Sequence, residues 1–296
     1  MLDQASKPFG WENSFLDIPE THVFGIDRVV LTVRDLDRVA EFYRKKIGLH
    51  VQGEEGSVLH LGNGSETLLE LRHDPQARPQ SRREAGLFHT AFLLPSRAAL
   101  GSWVRHAYES QVPITGAADH FVSEAVYLDD PEGNGVEVYA DRPREQWAWN
   151  NGLVHMTTEP LNFIAVVESS AGVRWEGFPP GSTVGHVHLQ VGSLPEAEVF
   201  YSNVLGLDIT CRYPGAIFYS SEGYHHHIAT NTWNSRGSQP RAEETAGLSE
   251  VALSMGGSLA LDRVRDRAAS AGIRIEERGN GISSRDPWNT LFSLRA

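Results

Sequence analysis

The chain has one cysteine, Cys211, among 296 residues. An internal disulfide framework and any cysteine-built zinc site are thereby excluded. No run of about 18 apolar residues occurs, so no helical membrane span is expected. Positive charge is the scarcer sign: 26 Lys and Arg stand against 38 Asp and Glu, a formal net charge of -12. That balance disfavours nucleic acid and anionic membranes as partners and leaves small molecules. The polar opening MLDQASKPFG lacks the basic and apolar regions of a signal peptide, and the cytoplasm is the expected location.

What is present is a repeat. The segments VVLTVRDLDRVAEFYRKKIGL (29–49) and VHLQVGSLPEAEVFYSNVLGL (187–207) each run an alternating apolar strand into an amphipathic helix. Asp35 and Ser193 suit the N-caps, and Gly48 and Gly206 the stops. Weaker copies begin at LFHTAFLL (87–94) and LSEVALSM (248–255), each leading into a helix. Short strands follow each copy, so the expected class is α+β with four βαβββ modules. The implied organisation is an N-terminal arm at 1–23, a first domain at 24–141, a linker at 142–181 and a second domain at 182–296. The linker shows little periodicity apart from LNFIAVVE.

Alternate residues of a strand face opposite ways, so each first strand divides into two sides. One side carries Val29, Leu31 and Val33, then Thr90, Phe92 and Leu94, then Val187, Leu189 and Val191, then Val251, Leu253 and Met255. That is ordinary core. The other side is headed by Arg28, His89, His186 and Glu250, an ionisable group in every module. A polar inner face points to a lined cavity.

The hairpin HFVSEAVYLDDPEGNGVEVY (120–139) adds to that face. With the turn centred near Glu132, Tyr127 lies across from Glu137, at roughly 5 Å between Cβ atoms, and Tyr139 shares the side of Glu137. His120 has the wrong parity unless a bulge re-aims it. A lone strand histidine is most often a satisfied core or surface residue, and a lone glutamate is most often half of an ion pair. Recurrence at matching positions of repeated modules argues against both, since two neutral imidazoles and a carboxylate are a standard divalent-metal set.

Paired βαβββ modules with His heading the first strand and Glu on the last resemble the vicinal oxygen chelate superfamily, which includes glyoxalases, bleomycin resistance proteins and extradiol dioxygenases. His120, Val126, Tyr127, Asp130, Pro131, Gly133 and Glu137 match the extradiol ring-cleavage signature, and Ala118 departs from it. The strings GHVHLQV and GYHHHIATNTW further resemble the CatE-like catechol 2,3-dioxygenases. The resemblance implies two tandem glyoxalase-like domains forming cup-shaped mixed sheets.

It also implies an extradiol dioxygenase with His89, Glu137 and His186 holding Fe(II), Mn(II) serving the same geometry, and O2 as cosubstrate. A small aromatic diol is the implied partner, and homo-oligomers are common in the family. Modules two and three would then share the working cup, leaving Arg28 to pair with Glu70 or Glu250 in the other, where Phe292 matches Glu137. A competing set uses His186, His188 and His225 or His227, with or without Glu250. Acid–base work falls to His225 or His227, since Ile228 shares a face with His226, together with Tyr127 and His120. His188 would line the substrate pocket, with Phe218, Trp233 and Tyr139 as apolar walls. A glyoxalase-like isomerase or hydrolase and a metal-free aromatic-binding protein are the alternatives.

Overall fold

The computed structural model describes residues 24–296. The expected N-terminal arm, 1–23, lies outside the described residues.

Each module has the expected order. Module one is β1 (Phe24–Val33), α1 (Leu36–Phe42), β2 (His50–Glu55), β3 (Val58–Gly62) and β4 (Thr67–His73). Module two is β5 (Gly86–Leu93), α2 (Arg97–Glu109), β6 (Ile114–Asp119), β7 (Ser123–Asp129) and β8 (Gly135–Asp141). The crossing segment holds β9 (Trp149–Asn150), β10 (Leu153–Val154) and α3 (Phe163–Ser169). Module three is β11 (Thr183–Gln190), α4 (Leu194–Glu198), β12 (Asp208–Tyr213), β13 (Ala216–Ser220) and β14 (Ile228–Asn231). Module four is β15 (Gly247–Met255), α5 (Ser258–Ala271), β16 (Glu276–Arg278), β17 (Gly281–Arg285) and β18 (Leu291–Arg295).

Local chemistry sets the helix ends. The side chains of Asp35, Ser96 and Ser193 accept from the backbone N–H groups of Arg38, Ala99 and Glu196, satisfying donors that a first turn leaves free. Helices α1 and α4 loosen into π turns, Tyr43–Ile47 and Val199–Val204, ahead of Gly48 at φ 102°. The tyrosines of the repeated Phe-Tyr pairs have matching partners: Tyr43 donates to Asp130 at 3.3 Å and Tyr201 to Asp286 at 2.7 Å. Each aspartate also accepts two backbone N–H groups of its own turn, which offsets the cost of burying a carboxylate.

The sheets pair modules across the halves of the sequence. β5 lies antiparallel to β11, with β8, β7 and β6 continuing one flank and β14, β13 and β12 the other. β1 lies antiparallel to β15 in the same way, flanked by β4, β3 and β2 and by β18, β17 and β16. The two cups meet at β1 and β11 through Ile26 and Val184. One cup thus draws on modules two and three, the other on modules one and four.

Every central strand carries a register shift just before its ionisable residue. The shifts skip Asp27 before Arg28, Gly185 before His186 and Ser249 before Glu250, and Phe88 before His89 on β5. A bulge adds a residue to one strand and re-aims the side chain beside it. The residues expected on the helix side, Val29, Leu31, Phe92, Val187, Val251 and Leu253 among them, are fully buried in the main core.

The segment 142–181, expected as a linker, is more ordered than its periodicity indicates. Helix α3 packs on α2, where Arg97 donates to Ala165 O at 3.0 Å and Ser169 Oγ to Arg97 O at 3.1 Å. Among the described residues, no helix is long and apolar enough to cross a membrane.

Candidate metal centre

His89 and His186 project from β5 and β11, and Glu137 from β8, onto the concave face of the cup built by modules two and three. Glu137 Oε2 lies 3.0 Å from His89 Nε2 and 3.1 Å from His186 Nε2. One donor atom from each of the three falls within 4.8 Å of the others, and all three residues are buried. His186 Nδ1 is buried without a hydrogen-bond partner among the described residues, and His89 Nε2, although 3.0 Å from Glu137 Oε2, makes no hydrogen bond to it. Burial alone would push the Glu137 carboxyl up, but His186 and His89 outweigh it and hold it well below the usual carboxylate range. Burial also pushes the His186 imidazole down to about 4, against the pull of Glu137. A neutral imidazole beside an ionised carboxylate, with orphaned ring nitrogen, is a donor set that suits a divalent transition metal.

The cluster opens onto a cavity of about 510 Å³. Tyr127 pairs in register with Glu137, so its ring reaches the same face, 5.5 Å from that of His89. Burial, reinforced by Glu137, pushes its hydroxyl well above the usual phenol range. His120 also faces the cavity, which parity did not foretell, because it lies in the tight link between β6 and β7 beside Phe121 at φ 68°. Its Nδ1 lies 2.5 Å from Thr157 O and its Nε2 2.6 Å from Tyr127 Oη. A carbonyl only accepts, so Nδ1 carries the proton and the Tyr127 hydroxyl donates to Nε2. His188 lines the cavity 5.0 Å from His89, with Nε2 accepting from Asn231 Nδ2 at 3.0 Å. Burial, with His89 and His186 nearby, pushes its imidazole well down.

The histidine triplet is arranged otherwise than its alternation indicates. His226 lines the cavity, its ring 4.1 Å from His186. His227 is turned away, its Nδ1 bonded to Ser220 Oγ at 2.9 Å and its ring set edge-on to Phe24. The reason is that β14 begins only at Ile228, and strand parity does not extend through the bent backbone before it. His225 lies behind His226, with their Nδ1 atoms 2.8 Å apart and its Nε2 2.8 Å from Asp141 Oδ1. The Asp141 carboxylate accepts from His225 Nε2–H, so His225 Nδ1 accepts from His226 Nδ1–H and the lone pair on His226 Nε2 stays free. Burial, with His186 and His225 beside it, pushes the His226 imidazole well down.

Tyr139 also lies elsewhere than the apolar wall expected of it. It shares the side of Glu137 but is completely buried, its hydroxyl 2.9 Å from that of Tyr224 and its ring 4.9 Å from His186. It does not line the cavity, because β11 passes over it at Gly185, where an added Cβ would fall 1.9 Å from its hydroxyl oxygen. Phe218 and Trp233 do line the cavity.

Among the described residues the competing set does not assemble: the cluster that brings three donor atoms together is His89, Glu137 and His186. Glu250 lies in the other cup, within 3.3 Å of Arg72 and 3.8 Å of Arg28, while Glu70 lies 3.2 Å from Arg28 and 2.7 Å from Arg72. Residues that sequence reasoning missed are Asp141, Phe88, and Met156, Thr157 and Thr158 of the crossing segment, all but Asp141 lining the cavity. Phe88 was legible only as the neighbour of a bulge, and the crossing segment gave no signal.

The profile of the Glyoxalase/Bleomycin resistance protein/Dioxygenase superfamily matches residues 25–138 and 183–292. The chain belongs to this superfamily. It is 39% identical over 267 residues to a catechol-2,3-dioxygenase of Bacillus subtilis (strain 168), covering 88% of this chain and 93% of the relative. It is therefore catechol 2,3-dioxygenase-like across most of its length. Among solved structures, glyoxalase I from Zea mays overlays with a TM-score of 0.56 at 14% identity, covering 92% of each chain. The cppA protein from Streptococcus pneumoniae TIGR4 overlays with a TM-score of 0.55 at 13% identity, over 92% of this chain and 98% of that one. At such identities these two superpositions speak for the fold alone.

Proposed function

We propose that the protein is an extradiol dioxygenase that opens a catechol-type ring with O2 at an Fe(II) site formed by His89, Glu137 and His186. The observation that carries this reading is the three-residue cluster on the wall of a 510 Å³ cavity that it shares with the hydrogen-bonded pair Tyr127 and His120. The 39% identity to a catechol-2,3-dioxygenase supports it. A bound Fe(II) would leave coordination positions for a vicinal diol and for O2 and would supply the redox chemistry between them. Mn(II) fits the same donors.

The remaining work belongs to this chain. His226 offers a free Nε2 lone pair as general base toward a diol hydroxyl, while His225 and Asp141 fix its tautomer from behind. The proton that His226 takes up can be returned from it to the product oxygen, while the Tyr127 hydroxyl, donating to His120, keeps lone pairs that can accept from a diol hydroxyl in the cavity. Thr157 O fixes the tautomer of His120, so the crossing segment takes part in the site. His188, held by Asn231, borders the ring position.

Reconstitution with Fe(II) under anaerobic conditions, followed by catechol and air-saturated buffer, tests the reading. Oxygen uptake with a yellow ring-opened product is expected. Bound iron without uptake for any catechol or hydroquinone would sink it and favour a glyoxalase-like isomerase or hydrolase.

A further inference from the structure

The cavity is larger and less polar than a bare catechol needs. Its volume of about 510 Å³ lies within the range of pockets that enclose drug-sized ligands, roughly 300–1,000 Å³. Beyond His188 the wall becomes aromatic. Phe88 lies 4.9 Å from the His188 ring and Trp233 5.5 Å from it, and the two stand 5.4 Å apart in an edge-to-face arrangement. Phe218 closes the other side of His188 at 5.8 Å.

Trp233 is the informative member. It is 46% exposed yet firmly held, its Nε1 donating to Pro214 O at 3.0 Å and its backbone N–H to Asn231 Oδ1 at 3.2 Å. Its own polar group is satisfied outside the cavity, so what it presents inward is apolar ring. A large aromatic fixed in place with its face open loses little conformational freedom when a ligand covers it.

The charges around the cavity narrow the ligand further. Among the described residues lining it, Arg82 is the one Lys or Arg, and it stands exposed at the rim, paired with Asp129 at 2.5 Å. A substrate carboxylate would find no buried Lys or Arg there, in a protein whose net charge is already -12.

We propose that the cavity takes an uncharged catechol bearing a bulky apolar substituent, its diol at His89, Glu137 and His186 and its substituent against Phe88 and Trp233. This rests on the ring-cleavage reading for the place of the diol, while the apolar subsite stands on its own geometry.

Two measurements on the full chain test it. Calorimetric titration of the metal-free protein compares catechol, 3- and 4-phenylcatechol and 3,4-dihydroxybenzoate, and oxygen uptake by the Fe(II)-loaded protein gives kcat/KM for the same four. At least one phenylcatechol is expected to bind and turn over about tenfold better than catechol or more, with the benzoate poorest. Trp233→Ala should shrink the phenyl preference several-fold, and Trp233→Phe should retain most of it. Phe88→Leu provides a second variant in the same wall should Trp233→Ala not fold. Equal or better performance of catechol or the benzoate would overturn the proposal. Selective phenylcatechol binding without oxygen uptake from any diol would uphold the subsite and reject the dioxygenase reading instead.

Discussion

His89 and His186 stand on antiparallel strands, each one residue beyond a bulge, with ring centres 5.5 Å apart and Nε2 atoms within 3.1 Å of the same oxygen of Glu137. They come from different halves of the sequence, so the centre exists only when modules two and three pair. Each histidine is expected to be indispensable: His89→Ala and His186→Ala should each abolish stoichiometric iron binding, and Arg28→Ala in the other cup should leave it intact. Metal analysis after gel filtration, with circular dichroism as the folding control, measures this.

Gly185 gives a test of how His186 is aimed. Because a Cβ there would meet the Tyr139 hydroxyl, Gly185→Ala should displace β11 or Tyr139, costing about 1–3 kcal/mol of stability, and weaken metal binding. Removing the hydroxyl with Tyr139→Phe in the same chain should recover part of both losses. Urea unfolding and metal titration of the single and double variants would show the coupling, and additive effects would disprove it.

The histidine triplet separates by direction. His226→Ala should lower kcat by about 10²–10⁴-fold if it is the general base, whereas His227→Ala should act mainly on stability. Asp141→Asn should give a smaller loss in kcat and alter the pH profile, because it disturbs the tautomer of His225 rather than touching substrate. Steady-state oxygen uptake across pH distinguishes the three.

His227 also makes stability depend on pH. Burial lowers its imidazole from 6.5 to about 3 in the folded protein. Between those values the unfolded chain binds more protons, so stability is retained above about pH 6.5 and falls as the pH drops toward 3. The His227 share of that slope is at most about 1.4 kcal/mol per pH unit. Urea midpoints measured at about pH 7.5 and about pH 5.5 should differ more for the natural chain than for His227→Gln.

The cup of modules one and four carries ion pairs on its inner face. Arg72 and Arg28 share the buried carboxylates of Glu70 and Glu250, and Ser293 adds a hydrogen bond to Glu250 at 2.6 Å. Arg72→Ala leaves both carboxylates short of a partner and should cost about 1–3 kcal/mol, with iron content unchanged. Thermal unfolding alongside metal analysis checks both statements.

Much of this arrangement is legible in the chain alone, for local reasons. Alternation separates Val29, Leu31 and Val33 from Arg28 because a strand has a two-residue period. The turn DPEGNG sets the register that places Tyr127 opposite Glu137, since a short loop leaves few alternatives. The caps at Asp35 and Ser193 depend only on neighbouring backbone donors.

Tertiary structure decided what those local rules cannot reach. His120, Phe88 and His226 face the cavity because a tight turn, a bulge and a bent approach to β14 interrupt strand parity, and such breaks are fixed by pairing with distant strands. Tyr139 was lost to the cavity because β11 crosses it at Gly185. The crossing segment entered the site through the carbonyl of Thr157, a group every residue carries and no side-chain pattern marks. The residue types and their repeat came from the sequence, and their convergence on one centre required the long-range pairing of β5 with β11.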